Sequence, residues 1–253
     1  MTPEIRAHVE ARLAEKLSPE QIVGEAKREG IGCVSHECIY QYIWRDKKLG
    51  GKLYTHLRHQ SKRYRKRGAA KDTRGQIKNK RPLAERPEEV EKRERLGDLE
   101  IDIVIGKGHN GALLTINDRV SGLLIMEKLA GKTAREVTRK TIERLMPFKD
   151  SLQTITSDNG KEFAGHEEIA SALDIDFYFA KPYHSWERGS NENLNGLIRQ
   201  YIPKESNIQQ LNKAYIQEVE KALNCRPRKR HGFQSPFTIH QQLTNNLKVA
   251  LVN

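Results

Sequence analysis

The 253-residue sequence is poor in cysteine: it has three, Cys33, Cys38 and Cys225. An odd count in a chain this long excludes a disulfide-built scaffold and reads as reduced thiols. Cys33 and Cys38 stand near His36, His56 and His59, but their spacing matches no common zinc finger. No apolar run approaches the roughly 20 residues of a membrane span, and no basic start precedes an apolar middle as in a signal peptide. A soluble, cytoplasmic protein with no membrane partner is expected. Acid is scarce in one place. Between Arg45 and Arg86 sixteen Lys and Arg face three Asp and Glu, an excess of +13 in a chain of net charge +12, so the remainder is near −1. A basic excess held in one segment points to a polyanion, nucleic acid first.

What is present divides into four stretches. Residues 1–46 read as three short helices. Thr2-Pro3 caps the first, Ser18-Pro19-Glu20-Gln21 opens the second as a capping box, and Ser35 opens the third after Gly30 and Gly32. Helix, glycine turn and helix match a helix-turn-helix, with His36, Glu37, Tyr40 and Gln41 outward on its last helix. A plain three-helix bundle has the same pattern, and the basic segment that follows favours DNA. Residues 47–95 form a basic arm, including Lys62, Arg63, Arg65, Lys66 and Arg67 in SKRYRKRG. It has little to bury and suits phosphates, with Tyr54 and Tyr64 interleaved as base contacts.

From 96 to 240 the pattern changes. A short β-branched apolar run occurs at 99–106 and further strand-like runs at 112–117, 122–129, 152–156 and 175–179, with helical patterns after the third, fourth and fifth. This order predicts an α/β domain, a mixed sheet with helices on its faces. Ser206–Arg226 is expected as one last helix, and 241–253 as a tail. In HSWERGSNENLNGLIRQYIP, Leu194, Leu197, Ile198 and Tyr201 form a buried helical stripe beginning from Ser185 as cap. Glu192, Asn195 and Arg199 share another face, which Glu187, about 140° away at ~100° per residue, does not.

Three carboxylates stand out. Asp102 interrupts an apolar strand, where a charge needs a partner or a metal. Asp158 ends a strand before Asn159-Gly160, and Glu192 lies on a polar helix face. Oxygen ligands from separate elements suit Mg²⁺, and two such ions support phosphodiester displacement. Asp98 competes for the first position. It is four residues from Asp102 and shares its strand face, so alternation cannot separate them, but Asp102 is expected to lie deeper in the apolar run.

LEIDIVIG, TSDNGKEF, PYHSWERGSNENLNGLIRQYIPK and LNCRPRKRHGFQSP together resemble the DDE transposases with a retroviral-integrase-like core, and more closely those of the insertion-sequence-thirty family. The thirty-three residues between Asp158 and Glu192 agree with that family's spacing. The resemblance implies an RNase H-like five-stranded sheet and a catalytic, metal-holding triad of Asp102, Asp158 and Glu192. The metal implied is Mg²⁺, with Mn²⁺ as substitute, two ions in all. It implies that Arg199 contacts the transposon end. Asn195 would position the scissile strand, and Tyr183, His184 and Trp186 would stack on unpaired bases. The implied partners are double-stranded DNA, as terminal repeats and target, and further copies of the chain on that DNA. The implied setting is the prokaryotic nucleoid.

Two departures accompany it. Leu99 stands where the family often has Trp. Members also carry a further N-terminal helix-turn-helix ahead of the region matching residue 1, so a truncated copy is expected. A truncated or domesticated DNA-binding repressor with an inactive core is the alternative function. A nuclease of the same fold acting on RNA–DNA hybrids is less favoured by the basic arm.

Overall fold

The structure, a computed structural model, describes residues 1–59, 77–180 and 189–250. Its chain forms two compact units, one of residues 1–70 with 225–239, the other of residues 71–224 with 240–253.

In the first unit, α1 (Pro3–Ala14), α2 (Pro19–Arg28) and α3 (His36–Lys48) begin at the capping residues read from sequence. Ser18 and Gln21 complete the capping box reciprocally. Val9, Leu13, Leu17, Ile22, Ile39 and Ile43 form the core, joined by Leu57 from the start of the arm. His36, Glu37 and Gln41 are exposed, but Tyr40 is half-buried against this core and is not an outward residue as expected. The helix carrying it also runs four residues beyond Trp44.

Residues 225–239 pack into the same unit, although the sequence assigns them to the larger domain. Gln21 donates to the Pro227 carbonyl at 2.7 Å, and Arg226 Nε donates to Gln21 Oε1 at 3.0 Å. Phe233 lies flat on Gly24, where any Cβ would fall 2.3 Å from its ring. Glycine in mid-helix costs ~1 kcal/mol against alanine, and here it admits an aromatic plug.

The second unit is built on a six-stranded sheet, one strand more than the five expected, in the order β1-β6-β5-β2-β3-β4. The strands are β1 (Arg81–Pro82), β2 (Asp98–Ile105), β3 (Ala112–Asp118), β4 (Leu124–Leu129), β5 (Thr154–Ser157) and β6 (Asp176–Phe179). β2-β3-β4 is an antiparallel meander, and β5, β6 and β1 add in parallel. This is the mixed RNase H-like sheet of the expectation with a short edge strand added. That strand, and α4 (Glu88–Lys92) after it, lie in the stretch expected to be arm; Ile77, Arg86 and Val90 are buried there. Lys62, Arg63, Arg65, Lys66 and Arg67 lie outside the described residues.

Helices cover both faces. Leu99 and Ile101 pack with Val137 and Leu145 of α5 (Ala134–Leu145) and with Ile169 and Leu173 of α6 (His166–Leu173). Val104, Leu113 and Met126 pack with Leu194 and Ile198 of α7 (Gly189–Tyr201) and with Val219 and Leu223 of α8 (Lys213–Cys225). The single helix expected over Ser206–Arg226 is broken. A 3₁₀ turn at Ile208–Gln210 precedes α8, because Asn207 and Asn212 side chains accept backbone N–H groups and start two separate turns. The expected tail is instead mostly helix, α9 (Pro236–Ala250), which Ser235 opens by accepting from Thr238 N.

Asp98, Glu100 and Asp102 share one face of β2, as alternation requires. Glu100, fully buried, pairs with Arg119, itself 2% exposed. Arg119 also donates to the Val90 carbonyl and to Glu91, while Arg86 donates to Thr156 Oγ1 and pairs with Glu91. The buried charges are thus matched, and they fasten α4 to the sheet. Removing one partner strands the other in low dielectric. We expect Arg119→Ala to destabilise the sheet unit by ~3–5 kcal/mol, read as a lowered midpoint in urea unfolding.

Candidate active site

The β2–β5 pairing sets the site. Its last register pair is Glu100 with Thr156, and two further steps bring Asp102 level with Asp158, just beyond the end of β5. The two aspartates therefore sit at the same end of neighbouring parallel strands. Asp102 is half-buried; its Oδ1 accepts from Ile103 N and its Oδ2 from Asn195 Nδ2, both at 2.9 Å. Asp158 Oδ1 accepts from Gly160 N at 2.9 Å, the turn that Asp-Asn-Gly favours. Asn159 donates to the Ala180 carbonyl, tying that turn to the end of β6.

Asp98, not Asp102, is the deeper of the two rivals. It is 1% exposed, ion-paired with Arg95 at 3.0 Å, and accepts from Thr154 Oγ1 at 2.7 Å. Asp102's place further inside the apolar run of the sequence does not make it the more buried of the two. Asp98 is held in the structure's interior, and Asp102 lies toward the end of the strand that solvent reaches.

α7 brings the third carboxylate. Leu194, Leu197 and Ile198 bury its apolar stripe, as the sequence pattern requires, and orient Asn195 onto Asp102. Glu192 is exposed, one turn before Asn195. α7 is described from Gly189; Ser185, expected as its N-cap, lies outside the described residues, as do Tyr183, His184, Trp186 and Glu187. Among the described residues, no group of three or more His, Cys, Asp or Glu side chains is arranged to hold a metal ion. Register and helix packing thus bring the three acids toward one end of the sheet without closing them around a common point.

Arg199 is half-buried. Its Nη2 donates to the Ile105 carbonyl at 2.7 Å and its Nη1 to the Pro203 carbonyl at 3.5 Å, and burial pushes its guanidinium below the ordinary arginine range. It locks α7 to the end of β2 as much as it faces outward. With Asn195, Lys107, Lys204, Glu205 and the backbone of Gly106 and Gly108, it lines a cavity of about 490 Å³ that begins beside Asp102. The pattern that placed Arg199 on the face of Glu192 carried no sign of this bonding, since the acceptors are backbone carbonyls. Lys107 carries no signal in the sequence, because a Gly-Lys-Gly hairpin tip reads as an ordinary turn, and Lys204 reads as a charge beyond the proline that ends α7.

An oxygen-only set of Asp102, Asp158 and Glu192 on a parallel strand pair and an adjoining helix suits a hard divalent cation. The integrase core domain family matches residues 93–185, which include both aspartates. Over its full length the chain is 51% identical to the transposase for insertion sequence element IS4351 of Bacteroides fragilis, covering 78% of that protein. The chain belongs to the insertion-sequence transposases. It is also 32% identical over 241 residues to the IS1086 transposase of Cupriavidus metallidurans, and 35% identical over 245 residues to transposase InsI of IS30A from Escherichia coli. It spans 71% and 64% of those two proteins. Among solved structures, the catalytic core domain of BIV integrase is similar at 18% identity and a TM-score of 0.47, over 60% of this chain and 98% of that one. Transposases with an integrase core work with a divalent metal ion. No helix among the described residues is long and apolar enough to cross a membrane.

The Asn195–Asp102 bond gives the first prediction for this site. Partners that orient a ligating carboxylate are worth about 10–100-fold in metal affinity or activity. Asn195→Ala should lower strand cleavage on that scale and leave the melting temperature nearly unchanged, measured on the same preparation.

Proposed function

We propose that the chain nicks DNA at the ends of its insertion sequence and joins the freed 3′ end to target DNA. Asp102, Asp158 and Glu192 are its catalytic and metal-holding groups. The observation that carries this reading is the β2–β5 register, which sets Asp102 level with Asp158 at an open strand end, beneath the helix that bears Glu192. The bound ions are Mg²⁺, replaceable by Mn²⁺, and two in number. When bound, they supply Lewis-acid activation of the attacking oxygen and stabilise the leaving one.

The chain's own residues do the rest. Asn195 holds the Asp102 carboxylate in one rotamer, which keeps a ligand oxygen aimed outward. Gly160 N holds Asp158 likewise. Glu192 lies exposed at the start of α7, one turn before Asn195, and supplies the third carboxylate of the set. Lys107, Lys204 and the outward edge of Arg199 offer cations along the cavity wall to the strand's phosphates. Tyr183, His184 and Trp186 precede Glu192 and stack on bases opened at the cut.

The helical unit holds the element's end. His36, Glu37 and Gln41 lie exposed on the first two turns of α3, where a recognition helix reads base edges, and the arm's Lys62, Arg63, Arg65, Lys66 and Arg67 hold the backbone. The partners are double-stranded DNA, both terminal repeats and target, and further copies of the chain that pair the two ends. The setting is the bacterial cytoplasm, at the nucleoid. A repressor with a silent core would need none of the carboxylates.

The test is a supercoiled plasmid carrying the cognate ends. Asp158→Ala should abolish metal-dependent nicking while end binding, by gel shift, stays within a few-fold; nicking that survives the substitution overturns the assignment.

A further inference from the structure

Within the stretch expected to be arm, residues 77–82 run along the edge of the sheet and touch the turn that carries Asp158. Ile77 is buried in the core, and Asn79 donates to Glu167 at 3.0 Å. Arg81 and Pro82 pair in parallel with Tyr178 and Phe179, and Arg81 lies over the Tyr178 ring and pairs with Asp176. Between these anchors Lys80, half-buried, donates from Nζ to Asn159 Oδ1 at 2.7 Å. Asn159 is the residue next to Asp158, and its Nδ2 donates to the Ala180 carbonyl at the end of β6.

One amide therefore joins three parts of the chain: the edge segment around Lys80, the Asp158 turn, and the strand that leads on toward Glu192. Asn159 is locked only when both ends of its amide are engaged, and Lys80 engages the carbonyl end. A charged donor makes that bond worth about twice a neutral one. It also fixes the amide's orientation, since an ammonium can only donate, so Oδ1 must face Lys80 and Nδ2 must face Ala180.

We propose that Lys80 is a positioning residue for Asp158, acting through Asn159. It makes the docking of this edge segment a condition for a correctly aimed metal ligand. The proposal rests on the assignment of Asp158 as a metal-holding group.

Mn²⁺ binding to the full chain, followed by the paramagnetic resonance of free Mn²⁺, tests it alongside nicking of the end-bearing plasmid. Lys80→Ala should weaken Mn²⁺ binding and raise the half-saturating Mg²⁺ concentration for nicking by about tenfold, the scale for an outer partner of a metal ligand. Lys80→Arg, which restores a cationic donor, should recover most of both. Arg81→Ala removes the neighbouring edge pair without touching Asn159, so it should lower the melting temperature and leave Mn²⁺ binding unchanged. Unchanged Mn²⁺ binding in Lys80→Ala overturns the proposal, as does an equal loss in Arg81→Ala, which would mean that edge stability alone is at work. Asp158→Ala separates the two levels. If that substitution keeps both Mn²⁺ binding and nicking, the assignment of the site has failed; if it loses both while Lys80→Ala loses neither, only the role of Lys80 has failed.

Discussion

The parallel pairing of β2 with β5 is the constraint on which the rest depends. Parallel strands cannot be joined by a tight turn, so the chain between them must leave the sheet and return. It first continues in the sheet as the β3–β4 meander, then leaves it through α5, which covers one face, before returning as β5. That detour separates Asp102 from Asp158 in sequence and returns them to one level in space. Gly97 shows how closely the pairing is fitted. It has φ +89°, its carbonyl accepts from Gln153 N at 2.9 Å, and a Cβ there would stand 2.0 Å from the Ser151 carbonyl oxygen. A side chain at 97 would push apart the start of the two strands that bear the site.

The acids of β2 divide their work by depth. Asp98 and Glu100 face inward and are matched by Arg95 and Arg119, so their charge holds the fold together. Asp102, one step further along the same face, meets the amide of Asn195. An amide orients a carboxylate without neutralising it, which is what the metal-holding role proposed for Asp102 would require. The same strand face thus carries ion-paired acids at one end and an amide-held acid at the other, and the change comes where α4 gives way to α7 as the neighbouring element.

The sequence was legible where side-chain pattern and structure share a period. Five strands follow short apolar, strand-like runs, and α7 follows its i, i+3, i+4 stripe. The sixth strand was not legible. Arg81-Pro82 has no apolar alternation, and what makes it a strand is β6 beside it. Tyr40 misled for a related reason: helical position places it near the outward face, but a side chain that long folds back onto the core. Asp98 and Asp102 could not be ranked by alternation, because four residues on a strand return to the same face; only Arg95 and Thr154 distinguish them. Lys80 was read as one more charge in a basic run, since its partner Asn159 lies seventy-nine residues on.

The least legible feature is the return of residues 225–239 to the helical unit. Their basic, proline-containing sequence looks like a terminus to the larger domain, and nothing in its period ties it to residues 18–30. The tie is steric. Gly24 leaves a flat place on α2 that Phe233 fills, and Gln21 uses its carbonyl oxygen twice, for the capping box and for Arg226. The helical unit is therefore not an N-terminal module in the sense of sequence. A fragment ending in the arm would expose the face of α2 that Phe233 covers and leave Gln21 without Arg226 and the Pro227 carbonyl. Its fold, and any surface that α3 presents, is completed by chain that is made only after the whole catalytic sheet.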